Sequence, residues 1–140
     1  MKVIVPVDDR NGMMFNNRRL SQDKLLRQYL LILCKEKALF MNEYSQKQFL
    51  NEKEARLFVD PSFLTIAGAE DFCFVENEYL MPHLTKIDTV YLCKWNRRYP
   101  ADFYLDLQLV PTFICTKITD IVGFSHEKIT IEEWKKNEKK

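Results

Sequence analysis

The sequence predicts an α/β domain built on a mixed, mostly parallel central sheet of about eight strands, with helices on both faces and an antiparallel strand pair at the C-terminal end. Three observations carry this expectation. Short apolar runs alternate with helical patterns through the first half of the chain, while strand-like runs follow one another directly near its end. The 140 residues, 46% apolar and 29% charged, suffice for one core without cross-links. No repeat, low-complexity tract or linker divides the chain, so residues 1–140 read as a single domain.

KVIVPV (2–7) reads as a buried strand, with Pro6 suggesting an edge or bulge at its end. Ser21 can cap a helix running to about Cys34, because Leu25, Leu26, Tyr29, Leu30 and Leu33 follow one helical face. ALFM (38–41) is a second strand, followed by a short helix from about Glu43 to Leu50. ARLFV (55–59) and FLTI (63–66) read as two further strands joined by an Asp60-Pro61 turn, and DFCFVE (71–76) as a fifth. EYLMPHL (78–84) has the pattern of one or two helical turns, and IDTVYLCKW (87–95) is a long sixth strand. TFICTKI (112–118) and KITIEEW (128–134) are close enough to pair antiparallel, although the segment between them exceeds a tight hairpin. On such sheets ligands usually lie at the C-terminal ends of the strands, near the point where the strand order reverses.

Composition excludes several classes. No apolar run approaches the roughly 18 residues of a membrane span, and MKVIVPVDD meets acid at Asp8, unlike a secretory leader. The net charge of +1 provides no global field that draws nucleic acid or a membrane surface. The basic tail WKKNEKK and the doublets Arg18-Arg19 and Arg97-Arg98 read as solvated faces. Cys34, Cys73, Cys93 and Cys115 are spaced by 39, 20 and 22 residues, too far for a zinc knuckle or redox motif. They read as reduced cysteines of a cytoplasmic protein.

No metal site is expected. His83 and His126 stand 43 residues apart, which cannot supply the cluster of a metallo-β-lactamase-type nuclease. Asp8 and Asp9 adjoin in a strand and point to opposite faces, a poor pair for magnesium. With three glycines in the chain, a Gly-rich phosphate cradle is absent, and so are the Walker A, GxSxG and GxGxxG motifs.

The stretch VDDRNGMMFNNRRLSQD (7–23) mixes turn residues with Met13, Met14 and Phe15. Asn11-Gly12 is expected to make its turn. Asp23 falls at the start of the helix, three and seven residues ahead of Leu26 and Leu30, and so leans toward the buried side. A carboxylate there either balances the helix dipole or serves a site.

In the order and spacing of its elements, the chain resembles the dihydrofolate reductases along nearly its whole length. VIVPVDDRNGMMFNNRRL is similar to that family's first strand and loop, and LSQDKLLRQYL to the start of its first helix. LFMNEYSQKQF is similar to the second strand and next helix, and KIDTVYLCKWNRRYPADFYLD to the long strand and the segment after it. The resemblance implies that Asp23 stands where a carboxylate grips the pterin ring and supports its protonation. It also implies a cofactor, NADPH, whose expected contacts are altered here. Glu76 and Asn77 stand where a Gly-Gly pair would meet the cofactor pyrophosphate, and Asn42-Glu43-Tyr44 where a basic pair would hold its phosphate. Ser45 alone keeps a hydroxyl. The segment between Phe49 and Asp71 is short for the family's strand-helix-strand unit, and Met13-Met14 stand where a cofactor ring needs room. A carboxylate in place of a cation repels phosphate.

Three functional readings follow. The first is a binding or regulatory domain, without cofactor and without reductase activity, whose cleft is lined by Met13, Phe15, Leu26, Tyr29, Met41 and Ser45 with Asp23 as its polar anchor, suited to a flat heterocycle or nucleotide. The second is a partner-binding protein with no small-molecule site, using Trp95, Tyr99, Phe103 and Tyr104 interleaved with Arg97 and Arg98; these aromatics equally suit stacking on nucleic-acid bases, and packing on the chain's own core is favoured over both. The third is an NAD(P)H-dependent reductase with a rearranged cofactor site and Asp23 as its catalytic carboxylate. Any apolar sheet edge is open to a second copy. The joint loss of phosphate contacts favours the first reading.

Overall fold

The computed structural model describes residues 1–138. Its central element is β1 (Lys2–Val7), which pairs in parallel with β6 (Phe72–Phe74) on one side and β7 (Thr89–Lys94) on the other. Paired on both edges and covered on both faces, β1 must be apolar after its first residue, Lys2, which is why Val3, Ile4, Val5 and Val7 are fully buried. Pro6 is not at a sheet edge. The amide of Lys2 and the carbonyl of Ile4 bond the β6 side, through Asp71 and Val75, so the backbone of Pro6 faces that side as well. The pairing with β6 ends at Ile4, and the missing N–H of Pro6 therefore costs no ladder bond.

Outward from β6 lie β4 (Leu39–Met41) and β5 (Leu57–Val59), both parallel; beyond β7 lie β10 (Ile129–Lys136) and β9 (Phe113–Ile121), both antiparallel. Among the described residues this sheet has seven strands, in the order β5-β4-β6-β1-β7-β10-β9. The mostly parallel sheet and the C-terminal antiparallel pair are as the sequence predicts. The expected strand at 63–66 is instead a single helical turn, α3 (Phe63–Ile66). Phe63, Leu64 and Ala67 are buried while Thr65 and Ile66 are exposed, a helical spacing that a short apolar run conceals. Asp60 starts the turn by accepting from the Ser62 amide at 2.7 Å.

The sheet separates two cores. Val3, Val5 and Val7 pack with Met13, Met14, Phe63, Leu64 and Leu80 on one face. Ile4 packs on the other with Leu26 and Leu30 of α1 (Lys24–Leu33), and with Met41 and Phe49. Asn42 caps the one-turn α2 (Glu43–Gln46) by accepting from the Ser45 amide, and 3-10 turns span Lys47–Phe49 and Met81–Lys86. Cys34, Cys73 and Cys93 are buried free thiols and Cys115 is half-buried; burial pushes the Cys34 and Cys73 thiols up to about 12. Lys139 and Lys140 of the basic tail lie outside the described residues, while Trp134 and Lys136 belong to β10.

A second sheet, not anticipated from the sequence, consists of β2 (Gly12–Phe15), β3 (Arg18–Arg19) and β8 (Phe103–Tyr104) in the order β3-β2-β8. Asn16 and Asn17, at φ 49° and 61°, form the two-residue turn between β2 and β3. Two left-handed residues give the turn a twist that matches the hairpin, and Asn tolerates that conformation. At the preceding turn it is Asn11, φ 63°, that takes the left-handed conformation, not Gly12. Gly12 is needed for space: a Cβ there would lie 2.7 Å from the Ala101 Cβ and 2.9 Å from an Asp8 carboxylate oxygen. Asn17→Val should lower stability by about 1–2 kcal/mol, the cost of the left-handed region for a branched residue, whereas Asn17→Gly should change it little; urea unfolding midpoints measure both.

Candidate functional site

Asp23 is the N-cap of α1, and Ser21, expected in that role, lies two residues before it. The Asp23 carboxylate is buried, and six donor contacts surround it. Oδ1 accepts from the backbone amides of Leu25 (2.9 Å), Leu26 (3.2 Å) and Phe124 (3.0 Å). Oδ2 accepts from the Ser125 amide (2.9 Å), the Ser125 hydroxyl (3.3 Å) and His126 Nδ1 (2.8 Å). Burial alone would raise this carboxyl's pKa, but the donors of Phe124, His126, Ser125 and Leu26 together hold it well below the usual range.

These partners come from the loop 122–128, between β9 and β10. It exceeds a tight hairpin because it reaches across to the N-terminus of α1, held in shape by the Gly123 amide donating to the His126 carbonyl at 2.9 Å. Gly123 permits this closeness: a Cβ there would stand 2.8 Å from Asp23 Oδ2 and from the His126 carbonyl oxygen. The buried imidazole stacks on Trp95, with ring centroids 4.6 Å apart. A carboxylate only accepts, so Nδ1 carries a proton toward Asp23. Nε2 then faces the Ser21 hydroxyl at 2.9 Å, with the Tyr99 hydroxyl at 3.5 Å.

A second buried carboxylate, Glu76, follows β6 by one residue after Val75. Arg19 Nε donates to its Oε2 at 2.9 Å and Arg19 Nη2 to its Oε1 at 3.2 Å, a two-pronged pair. Ser45 Oγ donates at 2.8 Å and Gln48 Nε2 at 2.9 Å. The Arg19 guanidinium also lies over the Tyr44 ring, 4.5 Å from its centroid. Arg19 is thus no part of a solvated face; Arg18, Arg97 and Arg98 are exposed.

Asp8 closes the first turn. It is buried and accepts from the amides of Gly12 (2.7 Å), Arg10 (2.9 Å) and Tyr99 (3.0 Å). Burial acts to raise its pKa, and these backbone donors outweigh it. Among the described residues, no group of three or more His, Cys, Asp or Glu side chains stands together in a position to hold a metal ion.

Between β2, β3 and the Tyr99-Pro100 segment lies a cavity of about 550 Å³, lined by Phe15, Asn16, Arg18, Arg19, Leu20, Tyr99 and Pro100. A neighbouring cavity of about 460 Å³ shares Tyr99 and Pro100 and adds Asp8, Arg10 and Arg98. Of the side chains anticipated for a cleft, Phe15 lines the first cavity. Met13 is buried in one core, and Leu26 and Met41 in the other, with Tyr29 packed against the latter. Ser45 is fully buried against Glu76. Of these residues Leu26 meets Asp23, through its backbone amide, whereas Phe15 and Ser45 stand elsewhere. Trp95 is buried, Tyr99 and Phe103 are half-buried, and Tyr104 is exposed. The residues missed from sequence are Arg19, His126 and Ser21 in its present role. The Ser-His pair inside a loop too long for a hairpin is the one signal that pointed to His126.

No protein-family model matches the sequence, and no curated protein matches it by sequence. A solved structure does match in shape. The dihydrofolate reductase from Enterococcus faecalis, complexed with NADP(H) and RAB-propyl, superposes with a TM-score of 0.67 over 98% of this chain and 96% of that one, at 7% identity. The fold is dihydrofolate reductase-like.

Within this dihydrofolate reductase-like frame, the residue at the expected carboxylate position, Asp23, is engaged by the chain itself. The expected phosphate hydroxyl, Ser45, donates to Glu76. The short segment after Phe49 contains β5 and the single turn α3. No helix among the described residues is long and apolar enough to cross a membrane.

Because the folded-state pKa of Asp23 is depressed, its stabilisation is complete above its unfolded value, about 3.9, and is lost as pH falls through the folded value. Asp23→Asn should lose on the order of 1–3 kcal/mol at pH 7, because an amide group would face amide donors, and should flatten the acid limb of stability measured against pH. Gly123→Ala should cost about 1–3 kcal/mol by crowding the same carboxylate, detected as a lower thermal midpoint.

Proposed function

We propose that this chain is a ligand-binding domain of dihydrofolate reductase-like fold that does not work as an NADPH-dependent reductase. The observation that carries this reading is the closed network of Glu76 with Arg19, Ser45 and Gln48. A buried carboxylate already uses the cation and the hydroxyl that a cofactor phosphate would need. Admitting the phosphate would break a pair whose separation costs about 3–5 kcal/mol.

The ligand class follows from the cavity beside Phe15 and Tyr99. Asp23 has its acceptor positions filled, so it offers little to a basic ring. Arg18 lines the cavity without a side-chain partner among the described residues, and Arg10 and Arg98 line the adjoining one. Aromatic walls with a cationic rim suit a flat heterocycle bearing negative charge, such as a nucleoside monophosphate. The volume falls within the roughly 300–1,000 Å³ of ordinary ligand pockets.

Partner binding is the second reading. The edge strand β9 and its loop expose Ile118, Val122 and Phe124, and an open strand edge accepts pairing. Concentration-dependent light scattering of the purified chain tests it.

For the first reading, calorimetry with wild-type protein should give heat with purine or pyrimidine monophosphates and none with NADPH at millimolar concentration. Arg18→Ala should weaken the monophosphate by roughly ten- to a hundredfold, the loss of one charge-assisted hydrogen bond of about 1.5–3 kcal/mol. Consumption of NADPH with dihydrofolate, reduced in Asp23→Asn, would replace this reading with that of an active reductase.

A further inference from the structure

Ser21, His126 and Asp23 form an unbroken relay. The hydroxyl lies 2.9 Å from imidazole Nε2, and Nδ1 lies 2.8 Å from a buried carboxylate oxygen. This is the arrangement by which a weak hydroxyl becomes a nucleophile: the carboxylate fixes the tautomer, and the free ring nitrogen takes the proton. We propose that Ser21 is an activated nucleophile and that this site hydrolyses small carboxylic esters.

Three further features separate the relay from an incidental surface contact. The carboxylate is held by four backbone amides, of Leu25, Leu26, Phe124 and Ser125, so its position does not depend on the histidine. The imidazole plane is set by stacking on buried Trp95. The serine end, unlike the other two members, is half-buried, not sealed, and follows Leu20 directly. Leu20 and Tyr99, whose hydroxyl approaches the same Nε2, both line the 550 Å³ cavity. The relay thus ends at a serine one residue along from Leu20, on the wall of a space large enough for a small ester.

The chemistry balances without a cofactor. Ser21 Oγ bonds to the ester carbonyl carbon as its proton moves to His126 Nε2. Collapse of the tetrahedral intermediate breaks the bond to the alkoxy oxygen, which leaves as the alcohol with that proton. Water, deprotonated by the same nitrogen, then releases the acid and restores the serine. Ser21 and His126 are the catalytic residues; Asp23 is a positioning residue. This inference does not rest on the heterocycle reading, since neither probe below involves the arginines.

The test is covalent labelling of the wild-type chain with a fluorophosphonate, read by peptide mass spectrometry, together with hydrolysis of p-nitrophenyl acetate. An adduct on Ser21, absent in Ser21→Ala and in His126→Gln of unchanged circular dichroism, is expected. Hydrolysis should fall about a hundredfold or more in either variant, the usual contribution of a general base. Absence of a Ser21 adduct from the folded wild-type protein, or an ester hydrolysis rate equal in wild type and Ser21→Ala, would overturn the proposal.

Discussion

The structure turns on how one carboxylate is kept buried. Asp23 carries its charge out of water at the start of α1, and isolated burial of that kind is prohibitive. It is tolerated because donors converge on both oxygens from two directions, the helix amides of Leu25 and Leu26 and the loop residues Phe124, Ser125 and His126. Hydrogen bonds to a charged acceptor are the stronger kind, and four of these donors are rigid backbone. The consequence reaches beyond the cap. The loop between β9 and β10 is drawn over the helix, and His126 is delivered against Trp95, just past the end of β7. Helix, loop and central strand are fastened at one group.

Glu76 solves the same problem differently. Its partners are the side chains of Arg19, Ser45 and Gln48, which bring together the small sheet, α2 and the end of β6. A side-chain network of this kind is costly to interrupt, because removing one member strands a buried charge. Together the two carboxylates tie the three-stranded sheet and α1 to the seven-stranded one. Neither carboxylate lines the two cavities beside Tyr99, where Arg18 stands in the first and Asp8, Arg10 and Arg98 in the second.

Most of the framework could be read from sequence, and the reason is burial. VIVPV (3–7) is apolar at every position because both faces of β1 are covered there, and α1 shows its Leu26–Leu30 stripe because one side is. The short run FLTI misled because four apolar-rich residues do not distinguish one helical turn from a strand. The Asn16-Asn17 hairpin carried the composition of a two-residue turn, but its flanks, GMMF and RR, lack the alternation that marks a strand pair. The site was less legible. Helical spacing alone showed that Asp23 points inward, yet its loop partners lie 101–103 residues away, and Glu76 lies 57 residues from Arg19. No local pattern encodes such contacts; they exist only once the topology has brought the segments together.

At 7% identity and a TM-score of 0.67, the chain shares its backbone course with a reductase while sharing few side chains. This is what a buried sheet permits. The paths of β1, β6 and β7 depend on apolar volume at alternating positions, and many residues supply that. Ligand chemistry has no such latitude, because it requires one atom type at one point. A buried carboxylate in this frame can be satisfied by a ligand or by the chain. At Asp23 the β9–β10 loop fills the acceptor positions from within, and at Glu76 a carboxylate takes the donors Arg19 and Ser45 from any incoming anion. Both exchanges leave the backbone path intact and alter what can approach it. The same loop that occupies Asp23 places His126 Nε2 against the half-buried hydroxyl of Ser21. One loop thus satisfies the buried charge of Asp23 and sets His126 against Ser21.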